Sequence, residues 1–162
     1  MPLKNNRYDT FSEKTLDGKK ASVAVVVAKF NEDITSSLLN ACTDTLRNRG
    51  VTEKNVRVVW VPGAFELALT AQKLAQTKEY DAVICLGCII RGETPHDRYI
   101  AAETARGIGQ ASLQTGIPIT FGVLTTLTLE QARARAGNDS HNKGHEAALA
   151  ALAMVNLMKE LK

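Results

Sequence analysis

An arginine and a histidine lie in a short polar loop that follows an apolar segment of the chain. Residues 81–90 are too apolar to alternate, which predicts a β-strand buried on both faces. Arg91 comes directly after this segment, and His96 lies in the same loop. Neither side chain is required by a solvated turn between a strand and a helix. We therefore expect a ligand here, because ligands of parallel sheets collect beyond the carboxyl ends of the strands.

A helix is predicted to begin where this loop ends. Thr94 is a residue type that caps helices, Pro95 suits the first helical position, and Asp97 has the spacing of a capping-box acid. Backbone N–H groups at such a start point outward beside the positive end of the helix dipole. The loop is therefore predicted to bind an anion, and a purely structural capped turn is the alternative.

The composition excludes several classes of protein. With 162 residues, of which 44% are hydrophobic, the chain is predicted to fold as one globular domain over 1–162, with 1–20 as a tail or an edge strand. A formal charge of +3 is too small to indicate nucleic-acid binding. No apolar run is long enough to span a membrane, and the polar N-terminus does not look like a secretory signal. We expect a cytoplasmic protein that binds neither nucleic acid nor membrane.

Cysteine usage indicates buried thiols. Cys42, Cys85 and Cys88 do not form a disulfide framework. A C-x-x-C pair can act as a redox pair when a helix N-terminus lowers the pKa of one thiol. Here Cys85 and Cys88 lie inside the predicted strand at an odd spacing, so their side chains are expected on opposite faces of the sheet. The redox pair is the weaker alternative.

Four predicted strands alternate with helices along the chain. The strands are 22–28, 55–61, 81–90 and 119–125, and the helices are 33–49, one that runs to about 78, 95–115, 129–136 and a last one that ends near 161. This alternation predicts an α/β fold, a three-layer α/β/α sandwich with a four-stranded parallel flavodoxin-like sheet flanked by helices.

Polar or aromatic residues follow the end of each predicted strand. They are Phe30 after the first strand, Phe65 and Glu66 after the second, 91–96 after the third, and Thr125 near the end of the fourth. Because these ends share one edge of the sheet, we expect one pocket with two aromatic rings, a carboxylate, a histidine and a cradle for phosphate. Core packing is the alternative for Phe30, and interaction with the helix dipole is the alternative for Glu66.

The sequence contains no common nucleotide-binding motif and no clear metal-binding motif. The chain has neither a G-x-G-x-x-G after the first strand nor a G-x-x-x-x-G-K-[ST] motif. His141 and His145 have helical spacing, but no third ligand is apparent, so no metal is expected. Arg135 and Lys143 lie in the break between the last two helices, where they could bind an anion or remain a solvated basic pair.

Over Val25 to Leu161 the chain resembles the lumazine synthase family. The motifs that carry the resemblance are Ala28-Lys29-Phe30-Asn31, Val59-Trp60-Val61-Pro62-Gly63-Ala64-Phe65-Glu66, Ile90-Arg91-Gly92-Glu93-Thr94-Pro95-His96, Phe121-Gly122-Val123-Leu124-Thr125-Thr126, and Arg135-Ala136-Gly137 with Asn142-Lys143-Gly144. The resemblance implies a transferase of riboflavin biosynthesis. Such an enzyme condenses 5-amino-6-(D-ribitylamino)uracil with 3,4-dihydroxy-2-butanone 4-phosphate to 6,7-dimethyl-8-ribityllumazine, phosphate and water, without a metal or redox cofactor.

The resemblance also implies a role for each site residue. His96 would be the catalytic proton carrier. The substrate-binding residues would be Phe30 against the pyrimidine ring; Ala64, Phe65 and Glu66 at the pyrimidine and ribityl groups; Cys88, Ile89 and Ile90 along the ring; Glu93, Thr94, Arg135 and Lys143 for phosphate; and Phe121 from a neighbouring subunit.

The chain departs from the family pattern at two places. Asp97 and Arg98 follow the histidine, where an aromatic residue and then an acid are usual, so Asp97 could replace the acid that orients the histidine. Asp139 stands where a lysine is usual, which would leave more of the phosphate binding to Lys143 and Arg91.

The family assembles as pentamers, or as a shell of twelve pentamers, with sites at subunit interfaces. The short connection 137–142 favours the shell, in which residues 10–16 could add a strand to a neighbour. A non-catalytic lumazine- or flavin-binding relative and a shell-forming structural protein with a vestigial site are the alternatives.

Overall fold

The computed structural model describes residues 15–161, which form a sheet between two layers of helices. Its strands are β1 Val23–Ala28, β2 Val56–Val61, β3 Ala82–Ile90 and β4 Ile119–Thr126. Its helices are α1 Glu32–Asn48, α2 Leu67–Gln76, α3 His96–Thr115, α4 Leu129–Ala134 and α5 Lys143–Glu160, with short 3-10 turns at Glu53–Asn55 and Ala64–Glu66. The edge strand predicted at 10–16 lies outside the described residues except for Thr15 and Leu16.

The sheet confirms the predicted α/β fold. Its four strands are all parallel, in the order β2-β1-β3-β4. β2 therefore lies on one side of β1, and the chain then crosses to the other side of β1 to add β3 and β4. That order is the flavodoxin-like arrangement, in which the carboxyl ends of all four strands point to the same edge.

Successive side chains of the central strands enter different halves of the core. Val25 and Ile84 pack with α1 and α5 on one face, whereas Val26 and Cys85 pack with α2 and α3 on the other. Every residue of β1 is buried, and so is β3 up to its last residue. This is why the two segments read as continuous apolar runs: both of their faces are covered by helices.

Helix α1 packs against α5 through a contact that only glycine allows. Ile34, Leu38 and Cys42 recur at helical spacing and face the sheet. A Cβ atom added at Gly144 in the first turn of α5 would lie 1.9 Å from the carbonyl oxygen of Leu38. The two backbones therefore approach more closely than any side chain would permit.

Most predicted boundaries are correct to within a few residues, but the start of α3 is wrong in detail. Pro95 occupies the N-cap position, and no side chain of the described residues caps the helix. The capping box expected from Thr94 and Asp97 therefore does not form. The end is as predicted, since Gly116 adopts a left-handed conformation with φ of 69°.

The start of α1 also differs from the prediction. Asn31, with a left-handed φ of 58°, takes the N-cap position of α1, so the helix begins at Glu32, one residue before the predicted start at 33. A 3-10 turn over Ala64–Glu66 precedes α2. Among residues 15–161, no helix is both long enough and apolar enough to cross a membrane.

Replacing Gly144 by alanine is expected to destabilise the protein. The added methyl group must displace the backbone of α1, and overpacking of this kind costs about 1–3 kcal/mol. Gly109→Ala is the matched control, because this helical glycine has nothing within 4 Å of the added Cβ and should gain about 0.5–1 kcal/mol. Urea unfolding of both variants checks the prediction, and equal midpoints would contradict it.

Candidate active site

A cleft of about 450 Å³ opens at the carboxyl edge of the sheet, where β1, β2 and β3 end. It contains most of the residues singled out from the sequence. The cleft is lined by Phe30, Gly63, Ala64, Phe65, Glu66, Cys88, Ile89, Ile90, Gly92, Thr94, His96, Asp97 and Ile100. Residues that are far apart in the chain thus form one pocket, as the shared edge of a parallel sheet requires.

Hydrogen bonds fix the turn after β1, which carries the ring of Phe30. Pairing between β1 and β2 continues past the strands, as Lys29 N donates to Val61 O (2.8 Å) and Phe30 N donates to Pro62 O (3.0 Å). The side chain of Asn31 donates to the carbonyl of Cys88 (2.9 Å). Phe30 itself is 72% exposed, so the core-packing alternative for this ring is wrong. An apolar ring held in the open beside a cleft is suited to stacking on a planar ligand.

The turn after β2 carries the carboxylate of the cleft. One oxygen of Glu66 accepts a hydrogen bond from Gly63 N (2.9 Å), which holds the side chain back against its own turn. The hydroxyl of Thr104 on α3 donates to the carbonyl of Ala64 (3.3 Å) in a buried position. Helix α3 and this turn are therefore joined, and they form the two walls of the cleft. The second oxygen of Glu66 remains for a ligand.

Strand β3 forms the floor of the cleft. Its last residues, Cys88, Ile89 and Ile90, line the cleft. The loop that follows is held to the neighbouring strand, because Arg91 N donates to Thr126 O (2.9 Å). Thr94 and His96 then line the cleft from the start of α3, and both are exposed. A hydroxyl, a histidine and a helix N-terminus thus face the same opening.

Several predicted site residues lie outside the cleft. Glu93 is exposed in the loop, and Phe121 is 40% exposed on β4; neither lines the cleft. Arg135 and Lys143 line a separate cavity of about 340 Å³ with His141 and Glu146. They are held together by a hydrogen bond from Lys143 N to Arg135 O (2.9 Å). Lys143 also forms an ion pair with Glu146.

The site residues assigned from the sequence leave out four residues of the cleft and three of the second cavity. Gly63, Gly92, Asp97 and Ile100 line the cleft, and Ala134, His141 and Glu146 line the second cavity with Arg135 and Lys143. Ile100 lies four residues after His96, so helical spacing was the signal that could have found it. Asp139, where a lysine was expected, accepts a hydrogen bond from His141 N (2.9 Å) and so shapes the loop.

The thiols are buried, which rules against a redox pair. Cys85 packs on the α2 and α3 side of the sheet and Cys88 on the α1 and α5 side, as their odd spacing predicts. Desolvation by burial raises the pKa of Cys85 to about 12. Burial, and then the charge of Asp33, raises the pKa of Cys88 to about 11. A redox pair requires the opposite shift.

His145, the member of the histidine pair that lies on α5, has a structural contact. Nδ1 of His145 lies 2.7 Å from the hydroxyl of Thr45, which itself donates to Ala41 O (2.7 Å). Nδ1 donates to or accepts from this hydroxyl according to the tautomer, and either bond ties the ring to α1. Within residues 15–161, no group of three or more side chains is arranged to hold a metal ion.

A comparison with protein families adds an independent finding. The family model described as 6,7-dimethyl-8-ribityllumazine synthase matches residues 20–159. The match spans the sheet, both helical layers, the cleft and the second cavity.

The three thiols are expected to resist modification in the folded protein. The thiolate is the reactive form, and burial keeps the thiols protonated, so labelling should be slow at pH 8 and should rise as the pH approaches 11. Titration with a disulfide reagent, with and without urea, measures this. Rapid labelling of the folded protein at pH 7 would contradict the prediction.

Proposed function

The chain belongs to the 6,7-dimethyl-8-ribityllumazine synthase family, and from that premise we propose its substrates, its reaction and the residue roles. Members are transferases of riboflavin biosynthesis, so the protein is an enzyme of that pathway. We propose that it condenses 5-amino-6-(D-ribitylamino)uracil with 3,4-dihydroxy-2-butanone 4-phosphate. The products are 6,7-dimethyl-8-ribityllumazine, phosphate and water.

The observation that carries this proposal is the cleft. Its ring, carboxylate, hydroxyl and histidine come from the ends of different strands and meet in one opening of about 450 Å³. A volume of that order holds a small heterocycle with a side chain. Both kinds of surface that the two substrates need, apolar walls and polar groups, are present there.

The pyrimidine is proposed to lie between Phe30 and the end of β3. The exposed ring of Phe30 stacks on one face of the heterocycle, while Cys88, Ile89 and Ile90 run along it and present backbone groups. The free oxygen of Glu66 accepts hydrogen bonds from the substrate. Ala64 and Phe65 hold the pyrimidine and the start of the ribityl chain beside Glu66.

The butanone phosphate is proposed to lie at the start of α3. Backbone N–H groups of the loop, including that of Glu93, and the hydroxyl of Thr94 bind the phosphate beside the positive end of a helix of 20 residues. His96 lies between this position and the pyrimidine. Its imidazole is suited to moving protons near neutral pH.

The reaction follows from holding the two substrates side by side. The amine attacks the ketone and a first water leaves, phosphate is then eliminated, and attack of the ribityl-bearing nitrogen on the remaining carbonyl closes the ring with loss of a second water. His96 transfers protons in these steps, while the phosphate departs into the anion-binding loop. Orientation of two reactants can be worth about 7–11 kcal/mol, so positioning carries much of the rate and His96 contributes only a part.

The remaining predicted residues are proposed to come from a neighbouring subunit. Phe121, Arg135 and Lys143 do not line the cleft of their own chain. The family implies oligomeric assembly, and a site shared between copies brings a second chain's Arg135 and Lys143 to the phosphate and its Phe121 to the opening. We propose a pentamer, and the short 137–142 connection favours a shell of twelve pentamers.

Absorbance of lumazine in a mixture of both substrates and enzyme tests the proposed function. Product is expected only when both substrates are present. Failure to form product with micromolar enzyme would instead favour a lumazine- or flavin-binding relative.

His96→Ala is expected to lower kcat by about 10²-fold and to leave measurable activity. Removing the imidazole removes proton transfer but keeps substrate positioning, and general acid–base catalysis contributes on the order of 10²–10⁴-fold. His145→Ala is the matched control, since His145 bonds to Thr45 outside the cleft. Unchanged kcat in His96→Ala would remove His96 from the mechanism.

Mixed assemblies test whether the site is shared. Arg135→Ala is expected to raise the KM for butanone phosphate about tenfold or more, because a charge-assisted contact is lost. When subunits of His96→Ala and Arg135→Ala are unfolded and reassembled together, some sites combine an intact His96 with an intact Arg135. Activity above the mean of the two variants is expected, whereas no gain would place both residues in one chain's site.

A further inference from the structure

The first turn of α3 contains a carboxylate whose hydrogen bonding is incomplete. Oδ1 of Asp97 is buried and has no hydrogen-bond partner within residues 15–161. Asp97 is only partly exposed, and it also lines the cleft. Buried polar atoms are nearly always paired, so an oxygen without a donor in a binding cleft calls for an explanation.

The position of Asp97 on its helix strengthens this point. Residues 97, 100, 104, 108 and 111 recur at helical spacing, and they form the face of α3 that packs toward the sheet. Ile100 packs against the core, and Thr104, Ile108 and Ala111 are buried. An apolar residue would suit the first position of this face. A carboxylate at this position lowers the stability of the free protein, because its buried oxygen makes no hydrogen bond with residues 15–161 that would compensate for its desolvation.

The expectation that Asp97 orients His96 receives no support from the contacts. Neighbouring residues of a helix point about 100° apart and do not face each other. The buried oxygen of Asp97 accepts nothing from His96. Because Asp97 lines the cleft, a molecule bound there is the candidate source of the missing donor.

The chemistry of the site favours a polyol as that molecule. A carboxylate repels a phosphate but accepts strongly from hydroxyl groups. Asp97 lies on α3, which Thr104 joins to Ala64, and Ala64 belongs to the turn proposed to hold the start of the ribityl chain. Glu66, the other carboxylate of the cleft, has one oxygen already committed to Gly63 N.

We propose that Asp97 is a specificity-determining residue that accepts hydrogen bonds from the hydroxyl groups of the ribityl chain. The inference rests on the proposed function, since it assumes that the ribityl-bearing substrate occupies the cleft. Asp97 then selects pyrimidines that carry a polyhydroxylated side chain over those with an alkyl group.

Binding of two ligands to the native protein and to two Asp97 variants tests this directly. The probes are 6,7-dimethyl-8-ribityllumazine and 6,7,8-trimethyllumazine, which share the ring and differ in the ribityl chain. In the full-length protein, the Kd of 6,7,8-trimethyllumazine divided by the Kd of 6,7-dimethyl-8-ribityllumazine measures the contribution of the ribityl chain to binding. Asp97→Ala is expected to reduce the ratio by about tenfold to a hundredfold, and Asp97→Asn by less, because the amide keeps a neutral acceptor.

Controls separate binding from structure. Asp44→Ala removes an exposed carboxylate outside the cleft and should leave the ratio unchanged. Since Asp97→Ala removes an unpaired buried oxygen, its Tm without ligand should not fall below that of Asp97→Asn.

The proposal is overturned if Asp97→Ala keeps the original ratio, whatever happens to its Tm. It is also overturned if the variant changes the mass of the assembly with the ratio intact, since the partner would then be a neighbouring copy. Tighter binding of butanone phosphate with an unchanged ratio would show repulsion of phosphate instead, and would overturn it as well. A native protein that binds neither lumazine and makes no product would refute the proposed function itself.

Discussion

The burial of β1 and β3 on both faces is the constraint on which the rest of the structure depends. Each strand must send alternate side chains into two separate cores, so helices have to cover both sides of the sheet. Parallel pairing then leaves every strand ending at the same edge. The candidate site is a consequence of that edge: its ring, carboxylate and histidine follow three different strands.

A few hydrogen bonds convert this edge into a defined cleft. Phe30 N extends the pairing between β1 and β2, and Asn31 reaches across to Cys88 O. Glu66 holds its own turn through Gly63 N, and Thr104 ties that turn to α3. Each bond uses a backbone group that would otherwise lack a partner at the end of a strand or turn. The exposed groups of the site are therefore carried on a rigid frame.

The single chain exposes aromatic side chains to solvent and leaves one buried carboxylate oxygen without a hydrogen-bond donor among the described residues. Phe30, Phe65 and Tyr99 are apolar or aromatic side chains that remain more than half exposed, and the Asp97 carboxylate lacks a donor. Such features cost stability in an isolated subunit and are typical of places that bind a ligand or a partner. They agree with membership of a family of oligomeric enzymes and with the proposal that substrates and a second copy complete the cleft.

The sequence alone determined the α/β class, the four strands and most of the cleft, because apolar runs, glycines and strand ends are local signals. It also led to the family through ordered motifs such as 28–31 and 59–66. Only the tertiary structure decided that Phe30 is exposed, that Pro95 rather than Thr94 takes the N-cap position of α3, and that Arg135 lies in a separate cavity from His96. These outcomes depend on how helices dock against the sheet and on which groups find partners there. Asp97 shows the difference most clearly: its charge suits a solvated first turn, and only packing reveals that it begins the inward face of the helix.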